Sequence, residues 1–197
     1  MILLQDSQAM SVVVAIATGT VLSASAGLRA FMPLFAAGLA ARTVGWDLAP
    51  QMQWLASNTA LLTFGVATLA EVAADKIPVV DHALDVVHTV VGPIAGVLAG
   101  LSVWLHFPPI VALLLAVIVG APVAGGVHLL AATTRLKSSM MSGGALNPLA
   151  SVTEDVLSVS ALAIVVFVPL LALVLVVMIA IAMVRIVRRR QLARRTR

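Results

Sequence analysis

The chain has 197 residues, of which 61% are hydrophobic and only 10% are charged, and its mean hydropathy is +1.13. Soluble domains average about a quarter charged residues, so this composition argues against an ordinary soluble domain and favours one compact membrane domain. The absence of cysteine excludes disulfides and thiolate metal sites.

The net charge of +4 comes from the C-terminal end, RIVRRRQLARRTR, which carries seven Arg and no acid. Such an end directly after an apolar segment is typical of a cytoplasmic anchor that faces anionic lipid headgroups. A nucleic-acid arm would require a basic surface interleaved with aromatics, whereas the chain has no Tyr and three Trp. We therefore expect a helical membrane domain at residues 1–184, a cytoplasmic tail at residues 185–197, and location in the cell (inner) membrane without a nucleic-acid partner.

The first apolar segment, residues 9–26, is predicted to be an uncleaved membrane helix. Its end, Ser23–Ala26, resembles a signal-peptidase site, which keeps a cleaved leader as the alternative. The region before the segment carries Asp6 and no Lys or Arg, however, whereas a leader begins with positive charge.

Gly27, Arg29 and Pro33 follow this segment closely, which predicts a break or kink in the helix. The apolar piece after the break, residues 31–41, is too short to cross a hydrocarbon core of about 30 Å. It is therefore expected to be a re-entrant half-helix or the lower part of a strongly kinked one.

The remaining chain divides into apolar segments separated by polar or Pro-containing stretches. Residues 43–58 are predicted to be a loop or interfacial segment and residues 133–148 the longest polar connection, while the spans are expected at 59–77, 81–105, 110–132 and within 149–184. The expected fold is therefore all-α and polytopic, with about five or six membrane segments, some of them re-entrant or broken.

Ionisable residues concentrate in the run EVAADKIPVVDHALDVVH, residues 71–88. Glu71 and Asp75 are four residues apart and share a helical face, and after Pro78 a second stripe follows at Asp81, Asp85 and His88. Charged groups inside membrane segments are costly, so this cluster is a candidate for ion binding or proton relay.

The alternative to ion binding or proton relay is that part of this cluster only marks the membrane–water boundary. It applies most to the residues nearest Pro78, namely Asp75, Lys76, Asp81 and His82. Glu71 is the deepest acid, and two carboxylates at this spacing require a raised pKa or a cation partner, for which Arg29 and Lys76 are available as counter-ions. A divalent cation suits such oxygen and nitrogen ligands, with Glu71 and Asp75 as the best metal candidates, although no motif requires a cofactor.

A second set of polar groups precedes the last apolar segment, where Asn147 and Pro148 are followed by Glu154 and Asp155. Ordinary helix-start chemistry accounts for this pattern. The pattern also parallels the first half, in which a Gly- and Pro-containing break precedes acids, so an internal inverted repeat is a second interpretation. Broken segments in corresponding halves are the sequence pointer to a transporter's central site.

These residues carry a resemblance to a known family. Residues 25–33, Glu71 with residues 74–78, residues 81–85, and Asn147-Pro148 with Glu154-Asp155 resemble an uncharacterised, mainly bacterial integral-membrane family, domain of unknown function four-one-two-six. The resemblance covers nearly the whole chain before the Arg tail and implies no established activity.

The leading hypothesis is a small permease or channel for an inorganic cation or small solute, in which intramembrane carboxylates bind or relay charge and Arg29 is a counter-ion or gate. The alternative is a non-transporting scaffold or assembly factor whose buried polar groups hold the helix bundle together. An enzyme is not expected, because no nucleophile–base motif is visible. Besides the lipid bilayer, a second copy of the chain is a candidate partner, because Gly96–Gly100 is a G-x-x-x-G packing motif that works equally well within one chain.

Overall fold

The computed structural model describes residues 2–75, 78–143, 146 and 149–166. Within these ranges the chain is helical and contains no β-strand. The elements are α1 (Ile2–Leu28), α2 (Met32–Thr43), a 3-10 helix (Pro50–Ala56), α3 (Asn58–Ala74), α4 (Pro78–Trp104), α5 (Pro109–Leu115), a π-helical segment (Ala116–Gly120), α6 (Ala121–Ser142) and α7 (Leu149–Val166). Chain contacts divide after Leu162 into two units, and the first unit contains α1 to α6 together with α7 up to that residue.

The predicted break near Arg29 is confirmed. Helix α1 ends at Leu28, and α2 begins at Met32 with Pro33 in its first turn. Proline is compatible with the first turn of a helix, where its missing N–H costs nothing, but it cannot continue a helix that is already formed. Three residues, Arg29 to Phe31, therefore link two helices, and α2 itself has only 12 residues.

The segment after α2 returns the chain toward the break. The 3-10 helix and α3 meet at an angle of 65°, and the hydroxyl of Ser57 caps α3 by accepting the backbone N–H of Ala60 at 3.2 Å. Helix α3 ends at Ala74, just before Asp75. Residues 43–58, expected to be a loop or interfacial segment, are therefore partly helical, and Met52 and Leu55 are buried there.

Helices α4 and α6 both run alongside α1. Ser23 of α1 donates its hydroxyl to the backbone carbonyl of Gly96 at 2.8 Å, and Trp104 donates its indole N–H to the carbonyl of Ala15 at 3.1 Å. Later residues of α1 thus lie beside earlier residues of α4, which makes the two helices antiparallel. Gly96 also lies against Ala124 of α6, so the G-x-x-x-G motif is used for packing within the chain.

The prediction of a polar connection at residues 133–148 is wrong over most of that range. Helix α6 continues through these residues to Ser142 and stops before Gly143, whose φ of 62° is the left-handed conformation that commonly follows a helix end. The helix persists because its buried face repeats at helical spacing, through Ala124, His128, Ala131 and Arg135.

The apolar residues are distributed as in a membrane protein. Large side chains such as Leu62, Ile110, Leu130 and Val86 are exposed on the helices, whereas many of the polar groups are buried. Four helices among the described residues are long and apolar enough to cross a bilayer, or up to five if the bent pair of the 3-10 helix and α3 is one span. The all-helical class is therefore confirmed, with this number of candidate spans.

Candidate functional site

A charged cluster lies where the break after α1, the end of α3, the first half of α4, the middle of α6 and the start of α7 meet. Its members come from stretches far apart in sequence, and most are buried. They are Arg29, Glu71, Asp75, Asp85, His88, His128, Arg135, Ser151, Glu154 and Asp155.

Arg29 is the centre of the first half of the cluster and is 1% exposed. Its Nη1 donates to Asp75, and its Nε and Nη2 both lie 2.7 Å from Oδ1 of Asp155. Nη2 also donates to the hydroxyl of Ser151 at 3.2 Å. Burial lowers the pKa of Arg29, but neighbouring carboxylates, foremost Asp75, outweigh this and raise the pKa above its ordinary value, so the guanidinium is a fixed positive charge.

The carboxylate of Glu71 accepts hydrogen bonds from backbone N–H groups at the break between α1 and α2. Its Oε1 accepts the backbone N–H of Ala30 at 2.7 Å, and its Oε2 accepts the N–H of Phe31 at 3.4 Å. The first N–H groups of a helix lack partners within that helix, and the positive end of the helix dipole favours a carboxylate there. Glu71 is also 3.0 Å from Nε2 of His88 through Oε1, so it links the break to α4.

Arg135 is the centre of the second half of the cluster. Its Nη2 lies 3.0 Å from Oδ1 of Asp85 on α4, and its Nε lies 3.2 Å from Oε1 of Glu154 on α7. The two arginines therefore repeat one arrangement, in which a buried guanidinium contacts two carboxylates from distant parts of the chain. Glu154 and Asp155 are adjacent on α7, and Glu154 contacts Arg135 whereas Asp155 contacts Arg29.

Two histidines lie between these centres. The rings of His88 and His128 meet edge to face with 5.9 Å between their centroids, and Nε2 of His128 is 3.4 Å from the hydroxyl of Thr89. The hydrogen bond of His128 to a neighbouring helix is the arrangement commonly found for an intramembrane histidine. His88 therefore contacts Glu71 on one side and His128 on the other.

The structure brings together most of the residues that the sequence singles out. Glu71, Asp75, Asp85, His88, Glu154, Asp155 and Arg29 all belong to the cluster, and Gly27 and Pro33 flank the break beside it. Asn147, Pro148, Lys76 and the side chains of Asp81 and His82 lie outside the described residues, as does the Arg tail.

Arg135 is the main residue that sequence reasoning missed. Its position in a stretch rich in Thr and Ser favours a loop, but the spacing of Ala124, His128, Ala131 and Arg135 follows one helical face. Extending the helical periodicity past Ala132 would have included it. Ser151 is likewise unremarkable in the sequence, where it fits an ordinary helix start, whereas in the structure it contacts Arg29.

The described side chains of the cluster include more acids than bases. Among the side chains that the structure describes, five carboxylates face two guanidinium groups, which leaves three excess negative charges when both histidines are neutral. Such an excess is costly away from water, so bound protons or a further positive charge are needed to offset it.

A resident metal has no obvious ligand set in the part of the chain that is described. No three His, Asp or Glu side chains there come close enough to hold a metal ion. Glu71 and Asp75, the best metal candidates in the sequence, point to different partners: Glu71 to backbone N–H groups and His88, and Asp75 to Arg29. The arrangement suits charge neutralisation better than tight metal coordination.

Apolar helices with exposed large side chains, surrounding a buried charged cluster, define the class as an all-helical protein of the membrane type. Comparison with protein-family models assigns it more narrowly: residues 16–189 match the domain of unknown function DUF4126, and the chain belongs to this family. No curated protein and no solved structure matches the chain.

Proposed function

We propose that the protein is a small membrane permease or channel for an inorganic cation or small solute. The observation that carries the proposal is the excess of carboxylates over guanidinium groups among the described side chains of the buried cluster. Asp85, His88, His128, Arg135, Glu154 and Asp155 lie within helices long and apolar enough to cross a bilayer. Charges at such positions are expensive and mark ion or proton pathways in membrane proteins.

The arrangement of the two arginines supports a relay rather than a permanent metal site. Each guanidinium neutralises part of the charge on two carboxylates, and the paired histidines lie between the arginine centres. A cation or proton that enters the cluster is attracted by the excess charge but meets, in the described part of the chain, no complete set of ligands that would hold it tightly. Weak binding of this kind is what conduction requires, because a bound ion must also leave.

A flux assay tests this proposal. The purified chain, reconstituted in lipid vesicles, is expected to dissipate an imposed gradient of H⁺, Na⁺ or K⁺, followed with dyes inside the vesicles. Glu71→Gln removes one negative charge from the cluster and should abolish this flux. Asp47→Asn is the matched control, because Asp47 is an exposed carboxylate paired with His106 outside the cluster. Flux equal to that of empty vesicles for all three ions would overturn the inorganic-ion proposal.

The second candidate function is a non-transporting scaffold or assembly factor, and a specific observation favours it. The cluster ties helices together: Arg29 joins the break to Asp75 and to α7, and Arg135 joins α6 to α4 and α7. A scaffold predicts that Glu71→Gln lowers the melting temperature in detergent and that no ion changes the melting temperature of the wild type. A permease predicts a shift of the wild-type melting temperature with the transported ion at constant ionic strength.

A further inference from the structure

A cavity of about 540 Å³ lies between α6 and α7, beside the end of α1. Its size falls within the range of about 300–1,000 Å³ that is common for small-molecule sites. The walls are mainly apolar and include Leu28, Val127, Leu130, Leu149 and Leu157. Because Leu130, Leu149 and Leu157 are exposed on the outer surface of the helices, the cavity opens toward the apolar surroundings of the bundle.

Glu154 is the charged residue in this lining, and it is 7% exposed. Its Oε1 faces Nε of Arg135, which also contacts Asp85, so the positive charge of Arg135 is shared between two carboxylates. Among the described residues its Oε2 is buried and has no hydrogen-bond partner. A buried carboxylate oxygen without a partner is costly, which points to a group that binds there.

The described hydroxyls of the cavity wall, those of Thr134, Ser138 and Thr153, do not supply that partner. The hydroxyls of Thr134 and Thr153 donate to the carbonyls of Leu130 and Leu149 on their own helices, each at 2.8 Å. An inorganic cation needs several oxygen ligands, whereas this mainly apolar wall offers one carboxylate and a few hydroxyls. A neutral apolar molecule would fill the space but leave Oε2 of Glu154 without a partner.

We propose that this cavity binds a monovalent organic cation with an apolar body, with Glu154 as its counter-ion. The apolar body contacts the leucines of α6 and α7, and the cationic head lies beside the carboxylate of Glu154, which lines the cavity. This inference names a class of solute for the permease and rests on that proposed function for its biological meaning. Binding is measured without transport, so the two proposals fail separately.

The test compares two probes of the same shape and opposite charge, tetraphenylphosphonium and tetraphenylborate. Their binding to the purified full chain in neutral detergent is measured by equilibrium dialysis against protein-free micelles. Tetraphenylphosphonium is expected to bind with one site per chain, and tetraphenylborate is not. Glu154→Gln should weaken binding of the cation by about tenfold or more, because it removes the buried counter-charge.

Two further variants complete the test. Asp47→Asn makes the same chemical change at an exposed carboxylate away from the cavity and should leave binding unchanged. Ala150→Phe keeps Glu154 but fills the cavity, in whose wall Ala150 lies, and should also abolish binding. This second variant keeps the proposal testable if Glu154→Gln fails to fold.

Equal binding of both probes, or wild-type affinity in both Glu154→Gln and Ala150→Phe, would overturn the proposal and leave the cavity as a groove for lipid chains. If the cation binds as expected but no inorganic ion crosses vesicle membranes, the cavity proposal stands and the inorganic-ion mechanism fails. If H⁺, Na⁺ or K⁺ crosses the membrane but tetraphenylphosphonium does not bind, the inorganic-ion mechanism stands and the cavity proposal fails.

Discussion

The carboxylate of Glu71, at the end of α3, accepts the backbone N–H of Ala30 at 2.7 Å across the break between α1 and α2. One side chain therefore joins the charged cluster to the break between the two helices. The cluster and the broken helix are parts of one arrangement, because the break exposes N–H groups and the acid satisfies them.

Replacing Glu71 by Ala should destabilise the fold by about 1–3 kcal/mol, because the buried N–H of Ala30 loses its acceptor. Glu71→Gln should cost less, since the amide oxygen can still accept one of the two N–H groups. Thermal unfolding in detergent measures both, with Asp47→Ala as the exposed control. Equal losses in the Ala and Gln variants would show that the contact with Ala30 contributes nothing.

Arg29→Gln should destabilise the fold by about 3–5 kcal/mol, because it leaves Asp75 buried without its positive partner. Arg29→Lys should retain part of the stability, since a single ammonium keeps the charge but cannot contact Asp75 and Asp155 in the same planar geometry. Arg42→Gln is the matched control on an exposed arginine and should change stability by less than about 0.5 kcal/mol.

A double-mutant cycle checks the cause of that loss. Combining Arg29→Gln with Asp75→Asn should recover part of the stability, because the uncompensated carboxylate is removed along with the guanidinium. Simple addition of the two single losses in denaturant unfolding would mean that the pair is not coupled.

Gly27→Ala should destabilise the packing of α1 against α6. The added methyl group would lie 2.3 Å from the carbonyl oxygen of Ala124, a backbone atom that cannot rotate away. The resulting shift is expected to cost about 1–3 kcal/mol. Gly126→Ala is the control, because a methyl group there meets nothing within 4 Å and should add up to about 1 kcal/mol of helix propensity. Melting temperatures that move in the same direction for both variants would contradict this packing.

The absence of native cysteine permits a direct test of which ends of the bundle face the same side. Asp47 contacts His106, which follows the C-terminal end of α4. Met141 lies at the end of α6, and Arg135 in the same helix contacts Asp85 near the N-terminal end of α4. Single Asp47→Cys and Met141→Cys variants should therefore react with an impermeant maleimide from opposite sides of the membrane. Labelling of both from one side would contradict the direction of these helices across the bilayer.

Much of the helical arrangement follows from local sequence. Gly27 and Pro33 predict the break, Pro78 predicts the boundary between α3 and α4, and the turn before Pro109 separates α4 from α5. The extent of α6 does not follow from composition, because the polar residues at 133–142 favour a loop while their periodicity favours a helix. A helix there tolerates Thr and Ser on its exposed face once its other face is buried.

The sequence does not predict which charged residues of the cluster contact one another. Spacing places Glu71 and Asp75 on one helical face, but whether each meets Arg29, Lys76 or a distant residue depends on how the helices pack. Asp75 meets Arg29, whereas Glu71 turns to backbone N–H groups and His88. Arg135 has no acid near it in sequence, so its two partners appear only when α4, α6 and α7 come together.

The π-helical segment Ala116–Gly120 has a consequence for the charged residues beyond it. Buried positions recur every four residues from Ala112 to His128, although an α-helix advances ~100° per residue and would carry such a row around its axis. The wider π turn absorbs the mismatch. Deleting one residue there would turn α6 by ~100° about its axis and move His128 and Arg135 away from α4. The π-helical segment therefore determines the direction in which the charged side chains of α6 point, relative to the buried face of α5.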